Sequence, residues 1–113
     1  DLDGAIEAIK KAVSMAPNNI DLAIVEVSFH LRKGSLDDAE KALDNAWNLK
    51  KVASDPRCDI YAAAIALRRG DEEKALEHGE KAVELDKDFL ERFMPIDEGL
   101  IDIGKLLKSK KLM

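Results

Sequence analysis

The feature that most constrains this chain is a phrase that recurs three times along it. The stretches Leu2–Val13, Ser35–Ala46 and Asp71–Val83 each carry two alanines seven residues apart: Ala5 and Ala12, Ala39 and Ala46, Ala75 and Ala82. Seven residues are close to two helical turns, so each pair lies on one face of a helix. The phrase returns after 34 residues, from Ala5 to Ala39, and after 36, from Ala39 to Ala75; Gly34 and Gly70 each precede their first alanine by five. A period of this length marks a helical array in which each unit covers the apolar face of its neighbour. All six alanines are therefore expected at helix–helix contacts.

Breakers and capping residues divide the chain further. The first helix is predicted from Leu2 to Met15, stopping before Pro17 because the residue ahead of a proline avoids the helical region. The second is predicted from Asp21, a capping residue, to Lys33, with Gly34 supplying a left-handed turn. The third runs from Ser35 to about Val52, with Asp37 and Asp38 at the positive end of its dipole. Pro56 opens a fourth that ends at Gly70, and Asp71 caps a fifth that runs to about Leu85. One segment tests this register. Leu22–Leu31 is rich in β-branched residues and partly alternating, which taken alone reads as a strand. The repeat makes it instead the inner helix of a pair, buried on two sides, whereas a lone strand would leave its backbone groups unpaired. After Asp88 the repeat gives way. A short turn or helix is expected at Phe89–Met94, then a last helix from about Asp97 to Lys108. Its apolar residues Leu100, Ile101, Ile103, Leu106 and Leu107 are expected to cover the exposed side of the final pair, as the end of an array requires.

These phrases, with Ala16-Pro17-Asn18-Asn19 after the first helix, resemble the tetratricopeptide repeat, a helix–turn–helix unit with a period of 34. The resemblance covers about residues 1–89. It is strong in the second helix of each unit and weak in the first, where the family's Trp, Leu-Gly and Tyr are not clearly present; Lys87 stands where the last unit would carry its proline. It implies an all-α fold, an α-α superhelix or right-handed solenoid of antiparallel helix pairs. Residues 1–19 would form half a unit, 20–55 and 56–89 whole units, and 90–113 a divergent capping helix with a basic tail. It also implies a protein-interaction scaffold whose first helices, Asp21–Lys33 and Arg57–Arg69, line a concave groove for a peptide or partner helix. One face of the former carries Asp21, Ile24, Ser28, Leu31 and Arg32. The matching face of the latter carries Arg57, Ile60, Ala64, Leu67 and Arg68, with Tyr61 alongside. Two apolar stripes edged by arginines suit a ligand with hydrophobic side chains and carboxylates, because the guanidinium fork donates two parallel hydrogen bonds. A plain core reading of Ile24, Leu31, Ile60 and Leu67 stands beside that one. The carboxylate clamp of the family's chaperone-binding members is matched at most through Arg57, with Ile24, Val25, Ser28 and Tyr61 where polar residues belong, so chaperone-tail binding is disfavoured.

Composition narrows the function classes. The 113 residues are 46% hydrophobic and 36% charged with both signs interleaved, which speaks against disorder. A net charge of −5 opposes nucleic-acid binding, where affinity comes from Lys and Arg neutralising phosphates. No apolar run reaches the ~20 residues that span a bilayer, so no membrane partner is expected. Cys58 is the only cysteine, which forbids an intrachain disulfide and fits a reducing, cytoplasmic setting. The chain opens at Asp1, inside a running helix, so an upstream segment is expected.

Candidates for chemistry are thin. His78 stands among Glu77, Glu80 and Lys81 and reads as a solvated surface residue. His30, on an inner helix, reads as core or groove lining, with no partner at metal-ligand spacing. Cys58 reads as an inert thiol. There is no phosphate loop, paired-cysteine zinc pattern or nucleophile elbow. No enzyme activity, metal or cofactor is expected. Lys105, Lys108, Lys110 and Lys111 read as a solvated helix end suited to the dipole, with a basic tail for an acidic partner as the sharper alternative. A second reading of function comes from the first helix: if Ile6, Ile9 and Val13 lack cover, the chain would be a self-associating, homodimerising or structural segment of a larger protein.

Overall fold

Where the sequence places Gly34 and Gly70, the chain turns by the same route twice. Each glycine has φ 84°. The Gly34 N–H donates to the Leu31 carbonyl at 3.0 Å and the Ser35 N–H to the His30 carbonyl at 3.0 Å; Gly70 donates to Leu67 at 3.0 Å and Asp71 to Ala66 at 2.9 Å. This paired closure satisfies the last carbonyls of a helix and needs a left-handed residue, which glycine adopts without a Cβ penalty.

The computed structural model describes residues 1–49 and 55–113. Among them are six α-helices: α1 (Leu2–Met15), α2 (Ile20–Lys33), α3 (Leu36–Leu49), α4 (Pro56–Arg68), α5 (Glu72–Phe93) and α6 (Ile101–Ser109). Two 3₁₀ turns, Met94–Ile96 and Glu98–Leu100, join α5 to α6, and none of the described residues forms a strand. The fold is all-α, a helical-repeat architecture. Leu22–Leu31 is helical throughout, so register overrides its β-branched composition. The predicted extension of α3 to Val52 falls outside the described residues. The chain divides into two compact units, Asp1–Lys51 and Val52–Met113.

In the first unit α1 packs on α2 and α2 on α3. Asn19, not Asp21, caps α2. Its backbone is extended after the Pro17 turn, and its side chain accepts from the Leu22 N–H at 3.2 Å. Asp21 lies one residue inside the helix, in the first turn. Ala39 and Ala46 are fully buried, as expected, but Ala5 and Ala12 are only half-buried. The reason is that α1 has a single helix neighbour in its unit, so the flank carrying those alanines is open on one side. An ion pair between Lys33 and Asp3, 2.7 Å long, links the ends of α2 and α1. The hydrogen bond and charge of Lys33 hold the Asp3 carboxyl below its ordinary range, and Asp3 in turn raises Lys33.

In the second unit α4 and α5 form the central pair, with α6 and the two 3₁₀ turns packed over them. Asp55 caps α4 ahead of Pro56, accepting from the Arg57 N–H at 2.9 Å. Asp71 caps α5, accepting from the Lys74 N–H at 3.0 Å. Ala75 and Ala82 are fully buried, and between them Gly79 is buried too. The expected end near Leu85 appears as a break inside α5. Asp86 leaves the helical region (φ −165°, ψ 86°) and its side chain caps the next stretch by accepting from the Phe89 N–H at 3.0 Å. The stretch expected to be one helix from Asp97 begins with a 3₁₀ turn, and α6 starts only at Ile101. Leu100, Ile103 and Leu107 are buried at 1% exposure or less, and Leu106 is half-buried. Ile101 departs from the expectation: it is 46% exposed, because the 3₁₀ turn ahead of it sets the buried stripe of α6 through Leu100, Ile103 and Leu107 instead.

Candidate functional site

On α2 the stripe expected to line a groove divides by burial. Ile24, Ser28 and Leu31 are buried, whereas Asp21 and Arg32 are exposed. The Arg32 guanidinium stacks over Phe29, 5.8 Å from its ring centroid, an arrangement that holds the cation against the helix surface. His30 is buried and its Nε2 lies 3.2 Å from Glu26 one turn back, so it is a satisfied core histidine.

On α4 the division is the same. Ile60, Tyr61 and Ala64 are buried at 3% exposure or less, Arg57 and Leu67 are half-buried, and Arg68 is exposed. The Arg57 fork is already engaged. It donates to both oxygens of Asp55, from Nε at 3.2 Å and from a terminal nitrogen at 3.1 Å, which is the bidentate match a guanidinium makes with a carboxylate. The one residue that matched a carboxylate clamp thus closes on the cap of its own helix. Arg32 and Arg68 hold equivalent places, each two residues before its turn glycine, and both side chains reach solvent.

Tyr61 ties α4 to the 3₁₀ turn ahead of α6. Its hydroxyl donates to Oδ2 of Asp97, a buried residue whose Oδ1 accepts from the Gly99 N–H at 2.9 Å. Its ring meets Phe93 edge-on at 6.2 Å between centroids. The sequence marked Tyr61 as aromatic beside a groove, but nothing in local spacing ties it to a residue 36 positions away.

His78 is more than a solvated surface residue. Nδ1 of its half-buried ring lies 3.1 Å from Oδ1 of Asp59, which is fully buried in the first turn of α4. Among the described residues, Oδ2 of Asp59 has no hydrogen-bond partner. The carboxyl sits where the helix dipole favours negative charge, which offsets part of its desolvation. Cys58 beside it is a fully buried thiol. Among the described residues no cluster of three or more His, Cys, Asp and Glu could hold a metal, and no helix is long and apolar enough to cross a membrane.

On α1, Ile6 and Ile9 are buried at 8% and 7% exposure and only Val13 is half-buried. Packing against α2 supplies the cover that the sequence alone left out, so the apolar stripe proposed for self-association is largely occupied within the chain.

Helix pairs with small residues at their contacts, joined by identical glycine turns, define a helical-repeat protein. A family model described as the tetratricopeptide repeat matches residues 1–66, more than half of the chain. The chain belongs to the tetratricopeptide-repeat family, whose repeats generally mediate protein–protein interaction and typically carry no catalysis. Neither a curated protein nor a solved structure matches it.

Proposed function

We propose that this chain is a protein-interaction module without catalysis, whose first helices, α2 and α4, present the binding residues to a peptide or partner helix. The observation that carries this reading is the repeated placement of Arg32 and Arg68, exposed arginines each two residues before a turn glycine. Asp21, Arg32, Leu67 and Arg68 are the reachable members of the two stripes. Ile24, Ser28, Leu31, Ile60, Tyr61 and Ala64 shape those helices from inside, and Arg57 contributes through its pair with Asp55. A partner carrying carboxylates suits these arginines, since a guanidinium makes charge-assisted bidentate contacts with a carboxylate. Homodimerisation through Ile6, Ile9 and Val13 is the weaker reading, since two of the three are already buried.

The test compares proteins retained from a source lysate by the parent chain, by Arg32→Glu/Arg68→Glu and by a control reversal of the exposed Lys41 on α3, with helicity checked by circular dichroism. The proposal expects the arginine reversal to lose partners that the Lys41→Glu control keeps. Identical retained sets from all three sink it.

A further inference from the structure

An apolar cleft of about 590 Å³ opens between the last turns of α5 and the outer face of α6. Leu90, Met94, Pro95, Leu100 and Ile101 wall it, and Gly104 lies at its floor, where a Cβ would come 3.4 Å from the Met94 methyl group. The residues of α6 facing it, Ile101, Gly104, Lys105 and Lys108, follow helical spacing, while Ile103 and Leu107 point into the unit and are buried. Ile101, at the mouth of this cleft, is 46% exposed.

The charges at the rim say what kind of occupant fits. Lys105 and Lys108 stand one turn apart, about 5–6 Å between Cβ atoms. Neither has an ion-pair partner among the described residues. The acid on the opposite wall, Glu91, pairs with Lys87 at 3.7 Å, and Lys110 reaches Glu72 at 4.0 Å. Within a chain of net charge −5 the rim is locally basic, while the walls below it are apolar. The lysine stems extend the apolar wall and their ammonium groups stay in water, poised for anions above a hydrophobic floor.

We propose that this cleft docks an amphipathic helical segment of a partner protein, which lays a leucine-sized side chain against Leu90, Met94 and Ile101 and pairs two carboxylates, one turn apart, with Lys105 and Lys108. A fatty acid would bring one carboxylate to two lysines, whereas glutamates spaced three or four residues apart on a helix bring two at the matching separation. The site is separate from the first-helix faces proposed above and does not depend on them.

The test titrates a fluorescein-labelled, end-capped helical peptide, with leucines along one face and a glutamate pair flanking them, and follows its anisotropy. Binding is expected to weaken about tenfold in Lys105→Glu/Lys108→Glu and to recover when the peptide's glutamates become lysines, since complementary charges set partner choice. Gly104→Met, which fills the floor while favouring the helix, is expected to weaken binding by a similar factor. Where the charge reversal lowers helicity, Lys105→Gln/Lys108→Gln gives the same reading with less strain on the fold. No binding by the parent chain, binding indifferent to both lysines, or binding of dodecanoate in place of the peptide each overturns the assignment.

Discussion

The Nδ1–H of His78 on α5 donates to Oδ1 of Asp59, a fully buried carboxyl on α4, across 3.1 Å. Among the described residues the second oxygen of Asp59 has no hydrogen-bond partner, and His78 gives that carboxyl its side-chain hydrogen bond. A buried polar group stripped of its partner is left with its full desolvation penalty uncompensated, a cost of about 1–3 kcal/mol. His78→Ala is therefore expected to destabilise by roughly that much. The informative comparison is the double variant. Asp59→Ala in the same background removes the stranded group, so the double variant is expected to be more stable than His78→Ala alone. Denaturant midpoints for the parent, both single variants and the double variant decide it; a double variant below His78→Ala counts against the pairing.

The helix turns make a second prediction. Gly34, Gly70 and Lys111 all have positive φ, at 84°, 84° and 59°. Lys111 closes the end of α6 as the glycines close α2 and α4, donating to the Lys108 carbonyl at 3.0 Å while Leu112 donates to Leu107 at 2.9 Å. An L residue in this conformation costs about 1–2 kcal/mol. Gly34→Ala and Gly70→Ala should each destabilise by about 1 kcal/mol, and Lys111→Gly should stabilise by a similar amount. Thermal melts of the three variants test both signs, and a stabilising Gly34→Ala would contradict the turn geometry.

What was legible in the sequence follows from how local each signal is. The helix turns at Gly34 and Gly70 and the opening at Pro56 each depend on residues within a turn or two, and the burial of Ala39, Ala46, Ala75 and Ala82 follows from a phrase that recurs along the chain. They were readable for that reason. The cap of α2 was misplaced because Asp21 and Asn19 are equally good caps by type, and only the backbone after Pro17 chooses Asn19. The candidate site was less legible. Exposure on a helix depends on what packs over it, so one stripe on α2 holds buried Leu31 beside exposed Arg32. His78 looked solvated because its sequence neighbours are charged; its partner Asp59 is 19 positions away and on another helix. Tyr61 was hidden for the same reason.

The Lys33–Asp3 pair predicts a titration. Hydrogen bonding to Lys33 is the main cause that lowers the Asp3 carboxyl from its ordinary 3.8, with the lysine's charge second. A carboxyl depressed in the folded state adds stability above its unfolded value, and this contribution is lost as pH falls through the folded value. The Lys33 side of the pair, raised from 10.5, contributes below that value and loses its contribution as pH climbs through the folded one. Both groups are on the surface, so the effect on stability is small and fades with salt. The carboxyl shift itself is measurable. An NMR titration of Asp3 should give a midpoint below 3.8 in the parent and a return towards it in Lys33→Met; equal midpoints would remove the pair.

Tyr61 predicts how firmly the capping segment is tied down. Its hydroxyl reaches Asp97, whose other oxygen holds the 3₁₀ turn through the Gly99 N–H. Tyr61→Phe preserves the ring and its edge contact with Phe93 but removes the donor. The loss of a buried hydrogen bond to a carboxyl should cost about 1–3 kcal/mol. It should also raise amide exchange first at Gly99 and Leu100, ahead of the centre of α4. Unchanged exchange in that turn would show that Asp97 is held without Tyr61.

Gly79 and Leu107 show why a glycine sits inside α5. A glycine in a helix interior costs about 1 kcal/mol relative to alanine, yet the position is buried between Ala75 and Ala82. A Cβ built at Gly79 would lie 2.7 Å from Cδ2 of Leu107, closer than side chains approach. Leu107 is fully buried, and a leucine removed from water contributes about 1.5–3 kcal/mol. Burial of Leu107 therefore outweighs the helix penalty that Gly79 brings. For Gly79→Ala the two effects oppose, because the clash is with the end of a side chain that can shift. Gly79→Val offers no such escape: its branched side chain adds two more carbons at the contact. It is expected to lower stability by about 1–3 kcal/mol by prising α6 from α5. Shortening the partner should relieve it, so Leu107→Ala, destabilising on its own, is expected to cost less in the Gly79→Val background. Additive losses measured by urea unfolding would mean that the two residues do not share the contact that seats α6.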